Sequence, residues 1–283
     1  MMYNKVTLSS ALACSHNEHI LEGINMFGID VSSWQGNLKL KDLQNVEFVI
    51  AKATEGQGLV DRYCDNFIEQ TKKLNLPWGF YHFAKNNSGK FDADYFYRNT
   101  KNYFGYGLPV LDYEDPALLQ SGKGVAYCEA FVDYIHAKTG VWSVMYMSAS
   151  VCQTFKGSWI PSKCALWVAG YPRKYTSFVN VDMPYNVSPW TSPIIWQFSG
   201  SGRLTGYNGN IDLDNAYINR AGWNCLVQGK PISKGKSHNE NILAACRVIL
   251  GEYGNGQARV KMLESLGYNY DEVQTIVNEI LNG

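Results

Sequence analysis

Residues 108–118 read LPVLDYEDPAL and hold three acids, Asp112, Glu114 and Asp115, inside an otherwise apolar run. Carboxylates are costly to bury among such neighbours unless they are paired or used. In an extended chain, side chains two apart face the same way, so Asp112 and Glu114 share one face and Tyr113 takes the other. Their Cα atoms would lie about 6.6 Å apart, two rises of ~3.3 Å. Two carboxyls this close repel, so one keeps its proton to higher pH while the other ionises. A proton donor beside an anion is what glycosidic bond cleavage requires: the donor protonates the leaving oxygen and the anion supports an oxocarbenium-like transition state. A D-x-E pair alone is more often two solvated acids at a strand end, so the remaining candidates decide its weight.

Four other segments carry compatible groups. FGIDVSSWQG places Asp30 at the end of an apolar run, and NIDLDNAY holds Asp212 and Asp214. IIWQFSG ends a run with Gln197 and Phe198, and WGFYHF ends one with Tyr81 and His82. Aromatic faces bracket sugar rings, while Asp and Gln hydrogen-bond hydroxyl and acetamido groups. His82 points away from Tyr81 along a strand and is expected to be structural. Lys52, in EFVIAK, is open to two readings, a partner of the acids or a structural salt bridge. No metal or cofactor is expected, because the acids are dispersed and no His cluster accompanies them.

Eight β-type runs must position these groups: 27–31, 47–52, 78–83, 109–114, 142–147, 165–170, 194–198 and 210–214. Most are continuously apolar, the pattern of strands covered on both faces. Helical patterns separate the early runs. They span 61–75 (stripe Cys64, Phe67, Ile68, Thr71), 91–104, and 124–138 (stripe Val125, Cys128, Val132, Ile135). After Ala149 the connections turn Pro-, Ser- and Gly-rich. The order predicts an α/β barrel related to the (β/α)8 class, with the acids at the C-terminal strand ends where such barrels carry chemistry.

The 283 residues include 25 Lys+Arg against 25 Asp+Glu, so a basic nucleic-acid surface is excluded, and no membrane partner is indicated. No apolar run approaches the ~18 residues of a spanning helix. Seven Cys without a CxxC are expected to be mostly free, buried thiols, including Cys128 and Cys246, made in a reducing compartment. Residues 1–25 are expected to be a disordered leader, since the apolar run in MMYNKVTLSSALAC is short and broken by two Ser. The barrel is assigned to 26–221, a linker to 222–240, and three short helices to 241–283. Their expected stripes are Ile242, Cys246, Ile249 and Leu250; Val260, Leu263 and Leu266; and Val273, Ile276, Val277, Ile280 and Leu281. Gly251–Gly256 and Gly267 are the breaks, and Asn269 with Glu272 has capping-box spacing.

The ordered motifs GIDVSSWQG, FVIAKATEG, GFYHF, PVLDYED, MYMS, LWVAGY, IIWQFSG and GNIDLDNAY resemble glycoside hydrolase family 25, the muramidases that include Chalaropsis-type lysozyme and many phage endolysins. The resemblance runs from about Phe27 to Tyr217. It implies a (β/α)5(β)3 TIM-like barrel and hydrolysis of the β-1,4 bond from N-acetylmuramic acid to N-acetylglucosamine in bacterial peptidoglycan. By that resemblance Glu114 is the general acid/base, Asp112 the second carboxylate, and Asp30 and Asp212 the outer acids. Tyr81, Tyr146, Trp167, Tyr171 and Gln197 are then substrate contacts. Glu114 is expected to be protonated, and Asp112 ionised, supporting attack by the substrate's acetamido carbonyl or by water.

The tail resembles the cell-wall-binding repeat of choline-independent phage lysins, through Tyr253-Gly254-Asn255-Gly256, Arg259 and LGYNYDEVQTIVN. This implies wall contacts for Asn255 and Arg259, with a helix-breaking turn and a surface Arg as the plain alternative. One copy lacks the gain of tandem repeats, which self-association would restore, so a homo-oligomer is an expectation. A phage lysin gathering in host cytoplasm before reaching the wall is favoured over a secreted autolysin. A non-catalytic wall-binding protein and a chitinase-like glycosidase are the competing readings.

Overall fold

A computed structural model describes residues 25–85, 88–229, 238–266 and 268–282. The expected leader, except its last residue, and Gly267 lie outside the described residues. Two compact units divide the chain, residues 1–230 and 231–283.

The first unit is a closed barrel. Its strands are β1 (Met26–Val31), β2 (Phe48–Glu55), β4 (Trp78–Phe83), β5 (Leu108–Asp112), β6 (Val144–Ser148), β7 (Leu166–Ala169), β8 (Ile195–Gly202) and β9 (Ile211–Ala216). A two-residue β3, Leu59–Val60, folds back on the end of β2. Around the barrel the order is β1, β9, β8, β7, β6, β5, β4, β2, closed by β1 pairing with β2. All neighbours are parallel except β9, which runs antiparallel to both β8 and β1. Helices α1 (Cys64–Lys73), α2 (Gly89–Thr100), the short α3 (Pro116–Gln120) and α4 (Gly124–Thr139) follow the early strands. The later connections hold only 3-10 turns, 149–155 and 160–162, as the fading helical pattern predicted.

The continuous apolar runs are explained by two packed layers. Outward residues such as Val49, Phe80, Leu111 and Met145 pack under the helices, where the α1 stripe and Cys128, Val132 and Ile135 of the α4 stripe are buried, and Trp196 packs under the loop after β7. Inward residues Phe48, Ile50, Leu108, Val110, Val144 and Ile195 fill the lower barrel.

The start of the expected linker, 222–240, needs correction, while its residues 230–237 lie outside the described residues. Residues 220–227 form α5 (Arg220–Val227), capped by Asn219, whose side chain accepts from Gly222 N at 3.0 Å. Trp223 is 1% exposed, packs its ring 5.1 Å from that of Phe48 at a tilt of 45° and joins the inward cluster. Its indole donates to Trp78 O at 3.3 Å, so α5 plugs the lower end of the barrel. Gly and polar residues gave 222–227 the look of a linker because only Trp223 and Val227 are spent on burial.

Among the described residues the second unit has three helices, α6 (His238–Ile249), α7 (Gly256–Ser265) and α8 (Tyr270–Asn282). Gly251, Gly254 and Gly256 take positive φ between α6 and α7. Asn269 Oδ1 accepts from Asp271 N and Glu272 N, but Glu272 accepts from Asn241 instead of closing the box. The α6 stripe is shifted from expectation. Ala244, Ala245 and Val248 are buried against Val273, Ile276 and Val277, while Ile249 and Leu250 are exposed. Small alanines permit close helix approach, which turns the bulkier face outward. Cys246 is therefore exposed, not buried, whereas Cys64, Cys128, Cys152 and Cys164 are buried free thiols. Of the other two stripes, Leu263, Val273, Ile276 and Val277 are buried, and Leu266, Ile280 and Leu281 are exposed.

Candidate active site

The groups singled out above meet at one barrel mouth. A cleft of about 280 Å³ there is lined by Asp30, Lys52, Tyr81, Asp112, Glu114, Tyr146, Trp167, Tyr171, Gln197 and Asp212, with Val31, Ser32, Trp34, Gln35 and Phe83. Strand register accounts for this. Tyr81 pairs with Lys52, Asp112 with Tyr146, Tyr146 with Trp167, and Gln197 with Asp214, so one inward-facing row circles the mouth. Asp212 lies at the start of β9 and reaches the same mouth because β9 runs against the other strands.

Each acid in the 108–118 run has its own use. Asp112 closes β5 and is 5% exposed, and its Oδ1 has no hydrogen-bond partner among the described residues. Glu114, just past the strand, is open to the cleft. Tyr113 is buried on the opposite face, edge-on to Phe155 at 5.8 Å. Asp115 caps α3, accepting from Leu118 N at 3.0 Å, and takes Lys85 Nζ at 3.1 Å. It has left the site to begin a helix.

Gln197 organises the opposite wall. Its Nε2 donates to Asp30 Oδ2 at 2.6 Å, and its Oε1 accepts from the Tyr146 hydroxyl at 2.9 Å and from the Tyr171 hydroxyl. Beneath it Trp167 Nε1 donates to Asp214 Oδ1 at 2.9 Å. Asp214, fully buried, is an acid that sequence spacing detected but did not assign to the site. Its i, i+2 relation to Asp212 was the available signal, since both face inward.

The carboxyls are all held above their ordinary range. Burial raises Asp30, reinforced by Asp212 and Asp214, while the Gln197 hydrogen bond opposes the rise. Burial followed by the Glu114 charge lifts Asp212 to about 6. Burial and then Glu114 push Asp112 well up, against the pull of Lys52. Glu114 rises through loss of surrounding water within the cleft walls, although its side chain remains accessible, and Lys52 again opposes. Both carboxyls of the pair are thus raised, Asp112 from inside the strand end and Glu114 from beyond it.

Lys52 satisfies both of its readings. It bonds Glu55 at 2.6 Å, sits 4.6 Å from the Phe83 ring centroid, and still lines the cleft near the acids. His82 is structural: fully buried, 2.7 Å from Thr54 Oγ1 and 3.5 Å from Asp92. Among the described residues, no group of three or more His, Cys, Asp or Glu is arranged to hold a metal ion. In the second unit Arg259 donates to Asn255 Oδ1 at 2.9 Å and to Gly254 O at 3.0 Å, so these two candidates form one connected, largely exposed corner.

Comparison with known proteins identifies the family. The family model for glycosyl hydrolases family 25 matches residues 29–207, and the CW_7 repeat matches 244–281. Lysozyme M1 of Streptomyces globisporus is 29% identical over 201 residues, covering 65% of each protein. The chain thus spans just under two thirds of that relative's length. The lysozyme of Streptococcus phage Cp-7 is 29% identical over 278 residues, covering 89% of this chain and 69% of the phage protein. The crystal structure of the bacterial lysozyme from Streptomyces coelicolor superposes with a TM-score of 0.62 at 28% identity, covering 72% of this chain and 97% of that one.

Proposed function

As the chain belongs to glycosyl hydrolases family 25, and is by that membership a glycoside hydrolase, we propose that it is a lysozyme acting on bacterial peptidoglycan. The bond cleaved is the β-1,4 link from N-acetylmuramic acid to N-acetylglucosamine. The observation that carries this reading is the juxtaposition of enclosed Asp112 and accessible Glu114 on one strand end, inside a cleft walled by Asp30, Asp212, Gln197 and aromatic rings.

Glu114 is the group able to reach a glycosidic oxygen, and it acts as general acid and then base. Asp112 lines the cleft and would meet the substrate with the edge of its carboxylate that faces the opening. An acetamido N–H donating there would favour the ionised carboxylate, because a hydrogen bond to the charged form lowers its pKa. Substrate binding would thereby help keep the proton on Glu114 and leave Asp112 to orient the acetamido carbonyl for attack. Such substrate-assisted routes are recognised departures from the two-carboxylate scheme. Asp30 and Asp212 border the sugar, with Tyr81, Tyr146, Trp167, Tyr171 and Gln197 as contacts.

The second unit would hold the enzyme to the wall through the Asn255–Arg259 corner, and self-association would add the avidity one module lacks. The match to the phage lysozyme across both units favours a phage lysin over a secreted autolysin.

Glu114→Gln keeps the shape and removes the proton. It should lower wall clearing by at least about 100-fold, the usual scale of general acid catalysis. Asp112→Asn should be severely impaired too. A Glu114→Gln enzyme that clears walls near the wild-type rate would refute the assignment. Mass spectrometry of released fragments separates the chitinase-like alternative: reducing-end muramic acid supports the lysozyme, and reducing-end glucosamine rejects it. A wild-type protein silent in a zymogram would leave a wall-binding function.

A further inference from the structure

Trp34 is 89% exposed, more than any other large hydrophobic side chain among the described residues, yet it borders the cleft. An indole left in water forfeits the burial it would gain in a core. Its backbone is held firmly nonetheless. Trp34 belongs to a 3-10 turn, Ser33–Gln35, directly after β1. Ser32 and Gln35 close a capping box around it, with Trp34 N donating to Ser32 Oγ at 3.3 Å and Ser32 N to Gln35 Oε1 at 3.0 Å. Ser33 N donates to Asp61 Oδ2 at 2.8 Å, tying the turn to the segment after β3. Gly36 lies so close to Tyr63 that an added Cβ would fall 2.4 Å from the ring. The fold therefore presents an aromatic face to solvent on a fixed mount.

Its position says which ring it would meet. Following the closure β1–β2–β4–β5, the turn carrying Trp34 stands three strands from Glu114, across the mouth of an eight-stranded barrel. Eight strands ~4.8 Å apart and tilted enclose a mouth about 15 Å wide between backbones. A sugar on Trp34 is then displaced from the one being cleaved. Resting on the lysozyme reading above, we propose that Trp34 is a stacking platform for an amino-sugar ring beyond the scissile linkage, making the enzyme selective for longer glycan strands. The neighbouring wall is acidic, through Asp30 and Asp212, so apolar contact with an uncharged ring face is the interaction available there.

The test pairs binding with turnover in the full-length chain. Soluble glycan fragments of one, two and four disaccharide repeats are the probes. Trp34→Ala should raise KM for the four-repeat fragment roughly tenfold while kcat holds and the shortest substrate cleaved is unaffected. Trp34→Tyr should restore most of the loss. In a Glu114→Gln background, titration of the four-repeat fragment should quench tryptophan fluorescence beyond the response to the one-repeat fragment, and Trp34→Ala should remove that excess, Trp167 accounting for the rest. Equal KM values for wild type and Trp34→Ala on the long fragment would overturn the platform. So would a fall in kcat at every length, which would mean that the residue acts through the acids. A wild-type enzyme that cleaves none of the fragments would instead count against the lysozyme reading, which keeps the two failures distinct. Because the side chain is exposed, unchanged thermal melting is expected for both variants.

Discussion

At the scale of single residues, the site depends on side chains that hold one another. Gln197 joins Asp30, Tyr146 and Tyr171, three groups from strands or strand ends separated by up to 167 positions in the chain. Replacing it with Leu would leave the buried Tyr146 hydroxyl and Asp30 carboxyl without their partner, and an unsatisfied buried polar group costs about 1–3 kcal/mol. Gln197→Leu is therefore expected to lower kcat/KM on soluble glycan fragments by roughly 10- to 100-fold, and wild-type kinetics would show that the wall does not depend on it. The D-x-E pair itself was legible from spacing, because a two-residue period in a strand is a property of the backbone. Which of the two is enclosed was not legible, and Asp112 and Glu114 differ there only because β5 stops between them. Asp115 shows the same limit from the other side: its acid was visible, but its use as a cap required α3.

At the scale of elements, two features escaped the chain pattern. The first is the direction of β9. Periodicity locates a strand without telling which way it runs, and a reversed β9 brings Asp212, at its beginning, to the mouth where the other strands end. The second is α5. Eight residues, with two buried, carry too little apolar signal to stand out from a loop, yet Trp223 seals the barrel floor against Phe48. Trp223→Ala should cost about 3–5 kcal/mol of stability by denaturant titration, as large core aromatics do. A loss below about 1 kcal/mol would mean that the segment is only a tether. The early helices were readable because each repeats apolar residues on one stripe, as Cys64, Phe67, Ile68 and Thr71 do. In the second unit the stripe failed for α6, where alanines rather than the bulky residues face the core.

At the scale of the whole molecule, the clustered acids leave a signature in stability. A carboxyl raised in the folded state binds its proton more tightly there than in the unfolded chain, so folding is favoured as pH falls. For Asp212, lifted from 3.8 to about 6, this contribution is complete below about pH 3.8 and lost as pH rises through about 6. Asp30, Asp112, Asp214 and Glu114 are shifted in the same direction. Buried His82 opposes within this range, because its depressed pKa costs stability as pH falls below the ordinary 6.5, one group against five. Glu55 and Asp92 act lower, burial pushing both up but Lys52 and Lys85 outweighing it at Glu55 and His82, Tyr127 and Gln57 at Asp92. Those two lose stability only as pH falls below their ordinary values of 4.5 and 3.8. Calorimetry should thus show Tm rising as pH drops from 7 to 5, by roughly 2–4 °C for each kcal/mol recovered. Asp212→Asn should flatten the curve, and a Tm that falls across this window would contradict the clustered-acid picture. The sequence by itself determined the inventory: eight apolar runs, the acids and amide at their ends, and a short three-helix tail, because strand and helix periods are local properties of the backbone. Only the tertiary structure decided which acid is enclosed and which accessible, which way β9 points, and that residues 222–227 belong to the barrel floor. Those depend on pairings between residues far apart in the chain, and on water excluded only when the barrel closes.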